Sequence, residues 1–177
     1  MVESNQTLEA TGSIGAGSEV SSVKLTENAS VTVKASEASS VTLTSSAEGV
    51  VVNKAEEIAT GDVEINVEGI VVKEVLAAWS FDISNNDEDV TVTMDVGEDV
   101  DVSTIKIFHR ENETSAWEDY TEVVKDIKLE NGKLTFTTTS FSDYTAAIAA
   151  PEPSAFGLLA GLGAIALAVS RRRRSRR

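Results

Sequence analysis

The chain contains no cysteine, so it has no disulfide framework, no thiol nucleophile and no cysteine-based metal site. Histidine occurs once, at His109, which removes a His-pair metal site and leaves any serine nucleophile a single candidate base. Serines abound, but no Gly-x-Ser-x-Gly elbow is present. The two prolines, Pro151 and Pro153, both stand near the C-terminus. Aromatic residues make up 5% of the chain, and residues 1–72 have none. Positive charge is equally thin. Six of the 15 Lys and Arg residues follow residue 170, leaving 9 against 28 Asp and Glu in residues 1–150. That region therefore carries a net charge of −19, against −14 for the whole chain. So acidic a surface, with no basic stripe, excludes nucleic-acid binding and repels anionic polysaccharide, while favouring solubility, cations and basic partners.

What remains is strand patterning. Residues 1–72 are rich in Ser, Thr, Ala, Val, Glu and Gly, and a degenerate unit recurs in them: Ser22-Val23-Lys24-Leu25-Thr26, Ser30-Val31-Thr32-Val33-Lys34 and Ser40-Val41-Thr42-Leu43-Thr44. The units begin at Ser22, Ser30 and Ser40, a nearly even spacing. Val50–Asn53 and Asp62–Val67 continue it with less fidelity. Alternation of Val or Leu with Thr or Lys predicts short strands buried on one side. Repetition at this spacing predicts either a β-solenoid-like segment or a Ser/Thr-rich stalk. Gly12, Gly15 and Gly17 match neither a dinucleotide fingerprint nor a phosphate loop, since no helix pattern follows them.

From Lys73 the aromatics begin: Trp79, Phe81, Phe108, Trp117, Tyr120, Phe136, Phe141 and Tyr144. Strands are predicted over 76–83, 90–96, 104–109, 123–129, 133–139 and 144–149. Turn residues separate them at Ser84–Asp87, Gly97–Asp99, Glu111–Glu113 and Asn131-Gly132, the last being the best hairpin signal in the chain. Six or seven such strands read as an immunoglobulin-like β-sandwich over residues 73–150. Val102–Arg110, Trp117, Phe136 and Ser140–Tyr144 also look like a β-sandwich module found near the C-termini of bacterial surface proteins. That resemblance implies a structural spacer without catalytic residues.

The segment from Pro151 to Arg177 has three parts. Pro151-Glu152-Pro153 stays extended and exposed, because proline fixes φ and lacks an N–H. Ala155 to Val169 is an uncharged run, including Ala155, Phe156, Leu158, Leu159, Leu162, Ile165, Leu167 and Val169. As a helix it would cover roughly 22 Å, short for a bilayer core of about 30 Å, though flanking residues can snorkel and the bilayer can thin. A cluster of Arg171, Arg172, Arg173, Arg174, Arg176 and Arg177 follows, which the positive-inside rule keeps cytoplasmic. In this order the three parts resemble the PEP-CTERM sorting signal of Gram-negative bacteria. The resemblance implies a single C-terminal transmembrane helix within 151–177, over the uncharged run from Ala155 to Val169. It also implies recognition by an exosortase, a membrane-embedded cysteine transpeptidase that cuts near the motif and releases or transfers the protein. An inner-membrane intermediate would then precede the cell envelope or extracellular matrix. Such proteins begin with a secretory signal peptide, whereas Met1–Asn5 has neither a basic nor an apolar region. The expectation is that this is the C-terminal part of a longer surface protein.

The expected whole is an all-β chain: a repeat segment over 1–72, a sandwich over 73–150 and the sorting signal over 151–177. Its expected role is that of a non-enzymatic, exported surface or matrix protein with no cofactor and no resident metal. Its partners would be the exosortase, the inner membrane and an extracellular polysaccharide. The alternative is a carbohydrate- or calcium-dependent binding module. An exposed pair of Trp79 and Trp117, joined by Tyr120, would favour the first of these. Oxygen ligands from Asn85–Asp89, Asp95, Glu98, Asp99 and Asp101 would favour the second, although no EF-hand pattern is met and turn chemistry explains the same residues.

Overall fold

The computed structural model describes residues 7–14, 23–25, 30–35, 39–47, 49–84 and 87–152. In chain order the strands are β1 (Thr7–Ile14), β2 (Val23–Lys24), β3 (Ser30–Ala35), β4 (Ser40–Ser45), β5 (Val51–Glu57), β6 (Ile70–Ser84), β7 (Val90–Asp95), β8 (Ile105–Arg110), β9 (Glu118–Asp119), β10 (Lys125–Glu130), β11 (Lys133–Thr138) and β12 (Asp143–Pro151). Single turns of 3-10 helix at Thr60–Asp62 and Val102–Thr104 are the helical elements among the described residues. The strands form two six-stranded sheets. Sheet A has the order β1-β3-β4-β7-β11-β10 and sheet B the order β2-β5-β6-β12-β8-β9. The pairing is antiparallel except between β1 and β3.

Each sheet contributes one face to a shared core. Val31, Val33, Val41, Leu43, Val92, Met94, Leu134 and Phe136 come from sheet A. Val52, Ala55, Trp79, Phe81, Ile107, Tyr144 and Ala146 come from sheet B. Phe136 and Tyr144 meet across the gap with ring centroids 5.4 Å apart. Full burial of side chains of this size is worth about 1.5–3 kcal/mol each, so this seam carries the fold. The Tyr144 hydroxyl donates to the Ser140 carbonyl four residues upstream at 2.8 Å, a tyrosine corner of the kind that pins the entry to a strand in Greek-key sandwiches. Asn131 (φ 51°) and Gly132 (φ 73°) form the β10–β11 turn that their sequence predicts. A Cβ on Gly132 would lie 2.9 Å from the Gly97 backbone carbon, so the position requires glycine on both counts.

Two expectations are corrected. The repeat units that precede Lys73 build neither a solenoid nor a stalk. β3 and β4 form an antiparallel hairpin (Val31↔Leu43) that continues onto β7 (Leu43↔Val92), while β5 joins β6. Each unit has a single apolar face, and that face is covered by the opposite sheet: Val31, Val33, Val41 and Leu43 are fully buried. The expected boundary between residues 72 and 73 falls inside β6, and the residues on its two sides share one core. Asp62–Val67, read as another strand, alternates as expected but joins no ladder. Its Val63, Ile65 and Val67 lie as a strap against a second cluster built on Phe108, Trp117 and Ala147.

Solvent-facing positions of sheet A form two ranks. Thr32, Thr42, Thr93 and Thr135 stand in register across β3, β4, β7 and β11, beside a rank of Ser30, Thr44, Thr91 and Thr137. Their hydroxyls pair across strands at 3.0–3.2 Å.

Candidate functional site

The C-terminal signal starts where the sandwich stops. Pro151 is the last residue of β12, exposed and opposite Ile70. A proline is tolerated there because a strand end needs no further ladder donor. Glu152 is exposed, and its backbone N–H donates to the Gly69 carbonyl at 2.9 Å. Pro153, the apolar positions Ala155, Phe156, Leu158, Leu159, Leu162, Ile165, Leu167 and Val169, and Arg171–Arg174, Arg176 and Arg177 lie outside the described residues. Among the described residues no helix is long and apolar enough to cross a membrane.

A second polar constellation sits at the end of β8. His109 shares a face with Ile105 and Ile107, as alternation requires, and is only 5% exposed. Its ring stacks on Tyr120, with centroids 4.5 Å apart, and leans on Tyr144 at 4.8 Å. Nε2 lies 2.9 Å from Ser142 Oγ and 3.3 Å from Ser140 Oγ. This is a serine–histidine contact that linear reading does not reveal, because His109 at the end of β8 and Ser142 just before β12 are 33 residues apart in the chain. The Ser142 hydroxyl also donates to the Arg110 carbonyl at 2.5 Å. The contact forms a hydrogen-bonded brace between the end of β8 and the entry to β12. Burial lowers the His109 pKa from its ordinary value, against the opposing influence of Glu111, Glu118 and Asp143. Burial raises that of Tyr144. A cavity of about 380 Å³ opens beside this cluster, walled by His109, Glu111, Glu118, Tyr120 and Ser140.

Next to it, Arg110 Nε donates to Asp143 Oδ2 at 2.7 Å, its Nη1 donates to the Glu113 carbonyl, and its guanidinium lies 4.6 Å from the Trp117 ring centre. His109, Arg110, Trp117, Ser140, Ser142 and Asp143, dispersed in sequence, thus meet at the C-terminal end of β8. Lys106 and Asp119 add a pair at 2.9 Å. Burial pushes the Asp119 carboxyl up, but the Thr121 hydroxyl and amide and Lys106 together bring it below its ordinary value.

The two tryptophans are core aromatics, the commoner state of such residues in a sandwich. Trp79 is 1% and Trp117 5% exposed, so neither presents a face for a sugar to stack on. The acidic positions are distributed over separate turns. Asp87, Glu88 and Asp89 are exposed, with Asp89 bound to Lys125 at 3.1 Å, and Asn85 and Asn86 lie outside the described residues. Asp95 accepts from the Gly97 amide, while Asp101 accepts from the Ser103 amide and hydroxyl at 2.9 Å each. Glu98 and Asp99 are exposed. No group of three or more His, Asp or Glu side chains able to hold a metal occurs among the described residues.

Residues 149–174 match the family model of the PEP-CTERM protein-sorting motif. A comparison with curated proteins returned no match. The matched segment overlaps the last three residues of β12 and continues through Arg174. It carries the Pro-Glu-Pro signature, the uncharged run and the first four arginines of the terminal cluster. A chain with this motif is an exosortase-targeted export substrate.

Proposed function

We propose that this protein is a non-catalytic, acidic β-sandwich delivered to the cell envelope or extracellular matrix, where it serves as a structural spacer. In this reading the apolar run from Ala155 to Val169 halts in the inner membrane, the arginines keep its end cytoplasmic, and an exosortase reads Pro151-Glu152-Pro153 from outside. The acyl carbon on the N-terminal side of the cut passes to the enzyme's cysteine sulfur, and the tail leaves as a protonated amine. Water or an amine acceptor then takes the acyl group.

The observation that carries the reading is the coincidence of two ends. The final hydrogen bond of the described fold is donated by Glu152, and the sorting signature begins one residue earlier. Every described residue of either hydrophobic cluster stands before the Pro-Glu-Pro motif. The burial of His109 and its place in the brace with Ser142 support the non-catalytic part. Mass spectrometry of the chain recovered from the native envelope and medium tests the proposal. A mature form without Arg171–Arg177 is expected, and membrane-bound protein that retains Arg177 as its only form would overturn it.

A further inference from the structure

The last strand leaves the sandwich before it ends. From Asp143 to Ile148, β12 is paired on both sides, with β6 and with β8. From Ala149 to Pro151 its described partner is β6 alone, through Ala149↔Val72, Ala150↔Val71 and Pro151↔Ile70. Register shifts at Ala146/Ala147 and Ile148/Ala149 leave Leu76 and Lys73 of β6 without opposite residues. Such bulges bend a strand and increase its local twist. Three things hold the ribbon closed. Ile70 N–H donates to the Val67 carbonyl at 3.2 Å, closing a turn over Gly69 at φ 79°. Glu152 N–H donates to Gly69 O at 2.9 Å. Ile70, Val72 and Ala149 pack, together with the strap, on Phe108 and Trp117.

We infer that this ribbon is a gauge for the sorting reaction: it holds the backbone as far as Glu152 in a closed ladder and so places the scissile bond on the C-terminal side of Glu152. The inference rests on the exosortase reading above. An enzyme that cuts a peptide bond takes its substrate as a lone extended segment, whose backbone groups it hydrogen-bonds itself. A bond inside the ladder must first be peeled from β6, at about 1 kcal/mol per hydrogen bond lost, with the apolar contacts of Ile70, Val72 and Ala149 lost in addition. β6 itself begins at Ile70, and its ladder reaches no further than the Gly69 carbonyl that Glu152 N–H meets. Gly69 and Val72 are then positioning residues for the cut, although neither belongs to the signature that the enzyme reads.

Two full-length variants test this in the native host. Gly69→Val forces a branched side chain into a left-handed conformation, with nothing within 4 Å of the added Cβ to clash. Val72→Asp places a charge in the ribbon's packed face. Thermal melting confirms the sandwich, hydrogen exchange reports opening of Ala149–Glu152, and intact-mass analysis reads the mature C-terminus. The wild type is expected to give one terminus, at Glu152 or beyond. Opened variants are expected to add products shifted upstream, ending at Ala149, Ala150 or Pro151. A wild-type terminus at or before Pro151 overturns the gauge while leaving exosortase processing intact. So does an unchanged single terminus in variants whose ribbon has opened. Chains that all retain Arg177 overturn the processing reading itself, and the gauge with it.

Discussion

Sheets A and B share a core but treat their outer faces in opposite ways. Sheet A turns threonine ranks to solvent, so its strands alternate strictly, as in β7, where Val90, Val92 and Met94 are buried and Thr91 and Thr93 half-buried. Sheet B is covered on both faces, by sheet A on one side and by Val63, Ile65 and Val67 of the strap on the other. Its central strand therefore has no polar alternation: Tyr144, Thr145, Ala146 and Ala147 are all buried in succession. A strand buried on both sides reads as a near-continuous apolar run, and one exposed on a single side reads as period two. The polar cost of the double burial is visible at the sheet's end, where Arg110, Asp143, His109 and Ser142 must satisfy one another.

The largest expected effect breaks sheet B at that point. Arg110→Met leaves the Asp143 carboxylate, 6% exposed, without its cation, and the Trp117 ring without its guanidinium. Chemical denaturation should show a loss of about 3 kcal/mol or more, largely recovered when Asp143→Leu is added. A smaller effect sharpens the role of the strap. Ile65→Ala trims a half-buried side chain and should cost about 1–2 kcal/mol, below the range for a fully buried isoleucine. Hydrogen exchange in that variant should accelerate at Ala149, Ala150 and Glu152 and stay unchanged in β3 and β4. The smallest effect belongs to sheet A: Thr93→Val removes one hydroxyl pair on a solvated face and should change stability by no more than about 0.5 kcal/mol. Equal costs for Ile65→Ala and Thr93→Val would erase the distinction between the two outer faces.

Strand existence was legible along most of the chain, because period two and turn chemistry are local. All six strands expected after Lys73 are present, five within two residues of their predicted bounds and the first beginning at Ile70 where 76 was expected, and the Asn131-Gly132 hairpin forms as its φ preferences require. Pairing was not legible. Ser40–Thr44 announces which of its residues face a core, but not that its neighbour is β7, with β5 and β6 intervening in the chain. A solenoid and a sandwich therefore looked alike. The strap misled for a related reason: Val63, Ile65 and Val67 alternate because they rest on a sheet, not because they belong to one. The tail signature was readable since its recognition depends on linear order. The Ser142–His109 contact was not, since two distant segments create it. Trp117 was ambiguous in composition alone, and only the position of Phe108 beneath the strap decides that its ring is covered.

The placement of β12 has a mechanical consequence. A tether attached beyond Glu152 would pull along a strand flanked by β6 and β8, with ladder bonds perpendicular to the direction of pull. Between Asp143 and Ile148 such a load is shared by many bonds at once and does not open them one after another. The outermost, single-sided part of the ribbon would yield first and the doubly flanked part from Asp143 to Ile148 last, giving the molecule a compliant lead and a stiff stop.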